Sequence, residues 1–182
     1  QSDLMNPARM LSQSALAAIG ARAMSGQPMD WCATAAAYEM VTRAGLTHER
    51  PPYHIDSVRE GNRDVPVTEE IVLSLPFGSL LRFRKDSEAP QAKVLVVAPM
   101  SGHFATLLRN TVATLLRDHD VYITDWHNAR DVPLAAGPFG YDDYVDTLIR
   151  FVETLGSETH IVAVCQPCVQ TLAAVAIMAE DD

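Results

Sequence analysis

The sequence predicts an α/β fold in which a mostly parallel, doubly wound sheet follows a helical N-terminal segment. Residues 94–98 (VLVVA) form an unbroken apolar run, as expected for a strand that is buried on both faces. Short apolar runs then alternate with segments whose apolar residues recur at helical spacing. A hairpin pattern with one wet face precedes them, at residues 71–84. A hairpin followed by alternating strands and helices is typical of a sheet that helices cover on both faces.

The N-terminal residues 1–48 are predicted to be helical, because Ala, Met and Leu are frequent and apolar residues form two weak stripes. Gly26 and Pro28 interrupt the pattern between the two stripes. Residues 49–68 are polar and contain Pro51-Pro52 and Gly61, which predicts a connecting loop. The residues of the stripes are Met10, Leu11, Ala15 and Ile19 in the first, and Tyr38, Val41 and Leu46 in the second.

Residues 69–182 are predicted to form the N-terminal part of an α/β-hydrolase domain, with strands and helices in alternation. Strands are predicted within residues 71–75, 81–84, 94–98, 121–123 and 161–164. Helices are predicted from the apolar spacing of residues 104–116, 141–152 and 169–177. The apolar stripes of these helices are expected to face the core. In the last helix the stripe comprises Val169, Leu172, Val175, Ala176 and Ile177.

The composition is that of a soluble globular domain, with 182 residues, 48% hydrophobic and 20% charged. A net charge of −9 disfavours binding to a nucleic-acid backbone. No apolar run approaches the roughly 20 residues of a membrane span, and no secretory signal is evident. Three cysteines without framework spacing predict free thiols in a reducing, intracellular setting. The chain lacks an initiator Met and stops after a helix at Asp182, so we expect it to be the front part of a longer polypeptide.

The segment HIVAVCQPCV, residues 160–169, places a cysteine between a predicted strand and a predicted helix. A nucleophile on such a tight turn needs compact residues two positions before and after it, as Ala163 and Pro167 are for Cys165. The N-terminus of the following helix favours the thiolate, the reactive form of cysteine. We therefore predict Cys165 as the nucleophile and the backbone N–H of Gln166 as a donor to the oxyanion.

A second oxyanion donor is expected in the loop after the strand at residues 94–98, which reads PMSGH. The backbone N–H of Ser101 is the predicted donor. Asp125 follows the next predicted strand, at the edge of the sheet where α/β folds bind ligands, and is expected to form a local ion pair with Arg130. The residues predicted to line the site are Met100, Gly102, His103, Asp125 and Trp126.

The segments VVAPMSGHFATLLRNTV, VYITDWHNARDVP and VCQP are similar to the intracellular polyhydroxybutyrate (polyhydroxyalkanoate) depolymerases, a family of the α/β-hydrolase superfamily. The segments YEMVTRAG and GNRDVPV resemble the N-terminal region of that family. The resemblance implies an α/β-hydrolase fold whose C-terminal strands are missing from this chain. It further implies hydrolysis of ester bonds in poly(3-hydroxybutyrate) through Cys165 and a thioester intermediate.

The resemblance also has implications for partners and for the rest of the catalytic machinery. The substrate is expected to be a polyester polymer or oligomer, and the partner surface the storage granule in the cytoplasm. No cofactor and no metal are expected, and homo-oligomerisation is left open. The catalytic His and Asp follow the nucleophile in this superfamily, so both are expected outside the present 182 residues.

Three other functions remain open at the level of sequence. A polyhydroxyalkanoate synthase-type acyltransferase is disfavoured because Pro167 stands where the synthase pattern G-x-C-x-G has glycine. A thioredoxin-like dithiol oxidoreductase would use Cys165 and Cys168, since C-x-P-C opens a helix after a strand. The late position of the pair and the non-aromatic Val164 before it argue against that reading.

The third alternative is a non-catalytic granule-surface protein. A zinc site would lack its second pair of ligands, because Cys32 stands alone.

Overall fold

The computed structural model describes residues 6–24, 32–43, 50–87, 90–100 and 104–181, and the chain divides into two compact units, Gln1–Glu49 and Arg50–Asp182. The first unit contains helices α1 (Asn6–Met24) and α2 (Cys32–Arg43), which contact each other. Both lie within the segment predicted to be helical. The predicted stripes do not form a buried core in the described residues, because Met10, Leu11 and Tyr38 are exposed. Ala15, Ile19 and Val41 are half-buried, and Leu46 lies outside the described residues.

The second unit is an α/β structure, as predicted, with one six-stranded sheet in the order β1-β2-β3-β5-β4-β6. Its strands are β1 (Ser57–Glu60), β2 (Arg63–Leu75), β3 (Gly78–Lys85), β4 (Lys93–Val97), β5 (Asp120–Trp126) and β6 (Thr159–Ala163). Its helices are α3 (Arg109–Leu115), α4 (Tyr141–Leu155) and α5 (Cys168–Asp181), with 3₁₀ turns at Ala105–Leu108 and Leu134–Ala136. None of the helices in the described ranges combines the length and the apolar character needed to cross a bilayer.

The sheet is mixed, which corrects the prediction that it is mostly parallel. Strand β4 pairs in parallel with β5 and with β6. The pairs β1–β2, β2–β3 and β3–β5 are antiparallel. The antiparallel pairs β1–β2 and β2–β3 follow from their connections. Two-residue turns at 61–62 and 76–77 join these strands, and a tight turn can only join antiparallel strands. The hairpin predicted around residues 71–84 is therefore confirmed as β2 and β3.

The segment 49–68, predicted to be a connecting loop, contains β1 and the first part of β2. Val58, Val65 and Val67 alternate with exposed residues and are buried, as strands with one wet face require. Gly61, with φ of +58°, lies in the two-residue turn between them. The loop prediction was wrong because prolines and this turn glycine outweighed a short alternation of valines.

Helices cover both faces of the sheet, as the doubly wound prediction requires. One core cluster joins α3, through Val112, to the face of β4 and β5 that carries Val96 and Ile123. The other joins α4, through Leu148, to the opposite face. The chain passes from β4 to β5 on one side and then from β5 back across to β6 on the other. Right-handed crossovers in opposite directions place their helices on opposite faces.

Helix α5 buries a different face from the one predicted. Ala174 is buried and Ala173 packs partly against the cluster that contains α4. The predicted core stripe is exposed instead, with Leu172 at 71% and Val169 at 63%. Two adjacent alanines allow α5 to approach α4 closely, and this contact decides the orientation of the helix.

Candidate functional site

The adjacent strands β4 and β6 lead to helices on opposite faces of the sheet. The loop after β4 runs to the 3₁₀ turn and α3, which pack on one face, whereas α5 follows β6 on the other face. Such a point in an open α/β sheet leaves a crevice outside the carboxyl ends of the strands, where ligands bind. Of the two loops predicted to form the site, residues 99–100 and 164–167 directly follow the carboxyl ends of β4 and β6.

Cys165 lies on the turn between β6 and α5 with φ of +68°. This is the left-handed region, which non-glycine residues rarely adopt and which costs on the order of 1–3 kcal/mol. The turn is held on both sides, since the N–H of Val164 donates to Val97 O at 3.2 Å and the N–H of Cys168 donates to Cys165 O at 3.3 Å. The thiol is free and exposed. His54 and Glu158 also have positive φ, but neither carries a nucleophilic side chain at the carboxyl ends of β4 and β6.

The flanks of Cys165 match the predicted requirement for compact residues. Ala163 ends β6 and is half-buried, and Pro167 is buried and accepts the first helical hydrogen bond of α5, from Thr171 N–H at 2.8 Å. Gln166, the predicted oxyanion donor, is exposed directly after Cys165. Cys168 begins α5, and its Sγ donates to Ala163 O at 3.4 Å. The thiol of Cys168 therefore points back along the strand and has a structural contact.

The carboxyl end of β4 is fixed by three side-chain hydrogen bonds to Ala98. The N–H of Ala98 donates to Thr124 Oγ1 at 2.9 Å. Its carbonyl accepts from Trp126 Nε1 at 2.9 Å and from the Tyr144 hydroxyl at 3.4 Å. Burial raises the pKa of the Tyr144 hydroxyl, so this group stays a neutral donor. The start of the predicted oxyanion loop is thus anchored to β5 and α4.

The residues predicted to line the site differ in burial and in contacts. Trp126 is buried, so it braces the site through Ala98 rather than lining it. Met100 is half-buried and packs on the same core cluster. The predicted donor Ser101 and its neighbours Gly102 and His103 lie outside the described residues.

Asp125 is buried next to a cation that the sequence did not suggest. Its Oδ2 lies 3.0 Å from Arg50 Nε, so the predicted local pair with Arg130 is wrong. Arg50 also approaches Glu69 at 3.3 Å and covers the ring of Tyr53 at 5.3 Å from its centroid. Burial raises the pKa of the Asp125 carboxyl, and the charges of Arg50 and of His127 oppose that increase. The other carboxylate oxygen, Oδ1, is buried without a hydrogen-bond partner.

His127 is engaged by β3 and by the turn before it. Its Nε2 lies 2.8 Å from Ser79 Oγ, and its Nδ1 lies 3.0 Å from Pro76 O. Its backbone N–H donates to Phe77 O at 2.9 Å. The side chain is exposed to solvent, and both ring nitrogens lie within hydrogen-bond distance of β3 and the turn before it.

Sequence reasoning missed two residues that shape the site. Arg50 lies in the segment that was predicted to be a loop, and no local pattern connects it to Asp125. Thr124 could have been found, because a threonine inside the apolar strand VYITDW is expected to be buried and then needs a hydrogen-bond partner. Within the described residues, no group of three or more His, Cys, Asp or Glu side chains could hold a metal ion.

No protein-family model, curated protein or solved structure matches this chain. The observations that bear on its chemistry are therefore the strained turn at Cys165 and its position after β6, beside β4.

Proposed function

We propose that this protein is a carboxylic ester hydrolase of the α/β-hydrolase type, acting as an intracellular polyhydroxybutyrate depolymerase with Cys165 as its nucleophile. The observation that carries the proposal is the left-handed backbone of Cys165 on the turn between β6 and α5, with its thiol exposed. The nucleophile of α/β hydrolases stands on such a sharp, strained strand-to-helix turn. A strained backbone at a reactive side chain is a feature of functional sites.

The position of the turn in the sheet supports the same proposal. Cys165 follows β6, which lies beside β4 at the point where the chain switches faces. The loop after β4, which would supply the second oxyanion donor, begins at the anchored Ala98. An oxyanion hole needs donors that are preorganised before the reaction, and the three hydrogen bonds to Ala98 fix one end of that loop.

In the proposed reaction the Cys165 thiolate attacks the ester carbonyl carbon, and the backbone N–H groups of Gln166 and Ser101 stabilise the resulting oxyanion. A histidine outside the present residues takes the thiol proton and gives it to the leaving alcohol, while an aspartate orients that histidine. The acyl group remains on Cys165 as a thioester. Water then attacks the thioester and releases the 3-hydroxyacid and the free thiol.

The test uses the full-length protein and soluble oligomers of 3-hydroxybutyrate. We expect Cys165→Ala to abolish ester hydrolysis, since the nucleophile is lost. Cys168→Ser is the matched control and should retain most of the activity, because the Cys168 sulfur donates to Ala163 O and a serine hydroxyl can donate there as well. Activity that survives in Cys165→Ala would contradict the proposal. Reduction of insulin disulfides that is lost in both variants would favour the dithiol oxidoreductase instead.

A further inference from the structure

The loop between β5 and α4 exposes an apolar tip. Leu134 begins the 3₁₀ turn Leu134–Ala136 and is 99% exposed, and Ala135 and Ala136 are exposed beside it. The surrounding stretch 132–141 reads VPLAAGPFGY and has no charged residue, in a chain whose net charge is −9. An uncharged apolar projection on an acidic protein is suited to an uncharged apolar surface.

The tip has a defined shape rather than an arbitrary one. Within the turn, the N–H of Ala136 donates to Pro133 O at 2.9 Å and the N–H of Gly137 donates to Leu134 O at 3.1 Å. The base of the loop is held by Phe139, which stacks on Phe77 with ring centroids 4.6 Å apart. The loop therefore uses Phe139 for its own packing and leaves Leu134 outside.

The tip and the nucleophile belong to the same edge of the sheet. The loop leaves the sheet at the carboxyl end of β5, which is parallel to β4, and β4 is parallel to β6. Cys165 follows the carboxyl end of β6. A surface that meets this edge can therefore contact both the tip and the turn at Cys165.

We propose that the tip, residues 133–137, anchors the enzyme on solid polyester by inserting Leu134 into the polymer surface. This inference rests on the proposed function and adds a surface contact to it. The repeating unit of the polyester carries no charge, so a charged patch on the protein would find no ionic partner there. A leucine side chain that inserts into the polymer gains the free energy of removing its apolar surface from water. A leucine that is 99% exposed has almost all of its apolar area available for that contact.

Binding is tested separately from turnover, with full-length protein carrying Cys165→Ala and amorphous poly(3-hydroxybutyrate) particles in a co-sedimentation assay. Leu134→Thr should weaken binding about tenfold or more, since the transferred apolar area is lost. Leu134→Met should bind like the parent, because it keeps an apolar side chain. Ile71→Thr is the matched control: Ile71 is 63% exposed in β2, and its loss should leave binding unchanged.

A second measurement distinguishes failure of the anchor from failure of the proposed function. With Cys165 intact, Leu134→Thr should hydrolyse soluble oligomers at the parent rate and particles at least several-fold more slowly. Equal particle binding by Leu134→Thr and its parent would overturn the anchor and leave the role of Cys165 standing. A Leu134-dependent change in oligomeric state without a change in particle binding would also overturn it, in favour of a contact between two copies. A parent protein that hydrolyses no soluble oligomer would overturn the proposed function itself.

Discussion

Cys165 combines a reactive side chain with a backbone conformation that this side chain makes costly. In the left-handed region the Cβ atom approaches the backbone closely, and only glycine avoids the penalty. The hydrogen bonds of Val164 and Cys168 on either side hold the turn in place, so the strain is maintained by the sheet and by α5. The consequence is a thiol that is exposed at the end of a strand although the neighbouring Pro167 is buried.

The strain at Cys165 predicts that glycine is more stable than alanine at this position, the reverse of the usual order within a helix. Cys165→Gly should be more stable than Cys165→Ala by about 1 kcal/mol, because both lack the sulfur and only alanine keeps the Cβ at φ of +68°. At Cys168, inside α5, the order should reverse, with glycine less stable than alanine by about 0.5–1 kcal/mol. Urea unfolding of the four variants measures both differences. An alanine preference at both positions would contradict the left-handed conformation of Cys165.

At the scale of elements, β5 positions the loop that precedes α3. Thr124 and Trp126 are two residues apart in β5 and therefore lie on the same face, and both reach Ala98 at the end of β4. The polar groups of Ala98 are buried, and a buried N–H or C=O without a partner is costly. Where the backbone hydrogen bonds between β4 and β5 stop, side chains of β5 bond Ala98 instead. The loop that follows β4 therefore starts from a fixed point.

This anchoring predicts a cost to both stability and activity when the Thr124 hydroxyl is removed. Thr124→Val has nearly the same shape but leaves the N–H of Ala98 buried and unpaired, which should lower the free energy of unfolding by about 1–3 kcal/mol. Ester hydrolysis should fall as well, because the oxyanion loop loses one of its anchors. Thr124→Ser keeps the hydroxyl and should retain more of both. Unfolding and kinetic measurements that find Val and Ser equivalent would show that this hydrogen bond is unimportant.

The elements that the sequence predicted well are those with strong periodicity and clear end signals. Helix α4 has buried residues at helical spacing and ends just before Gly156, whose φ of +80° favours glycine. The apolar run of β4 was equally clear. Strand β1 has only four residues, too few for an alternation to be recognised. The face of α5 was not predictable, since it was decided by a contact between helices.

At the scale of the whole molecule, the polar cluster around Asp125 joins segments that are distant in the sequence. Arg50 precedes β1, Asp125 lies in β5, and Glu69 lies in β2. The strand-to-helix turn at Cys165 could be predicted because its motif is local, whereas this cluster exists only once the sheet has formed. Such long-range pairs connect the start of the second unit to its centre and contribute to its cooperative unfolding.

The cluster predicts a pH-dependent loss of stability in Arg50→Met, a variant that keeps apolar contact with Tyr53. Burial already raises the pKa of the Asp125 carboxyl, so the folded state loses stability as pH rises from the ordinary Asp value of 3.8 through the raised one. Without Arg50 the pKa rises further and that loss grows. Since the Arg50 side chain is 33% exposed and solvent screens the pair, the expected loss of unfolding free energy near pH 7 is about 1–3 kcal/mol, shrinking towards pH 4.

Two further variants serve as controls. Adding Asp125→Asn to Arg50→Met should restore part of the lost stability, and Arg59→Met removes an exposed arginine outside the cluster. Urea unfolding at both pH values decides the matter, and an equal cost at pH 4 and pH 7 would contradict it.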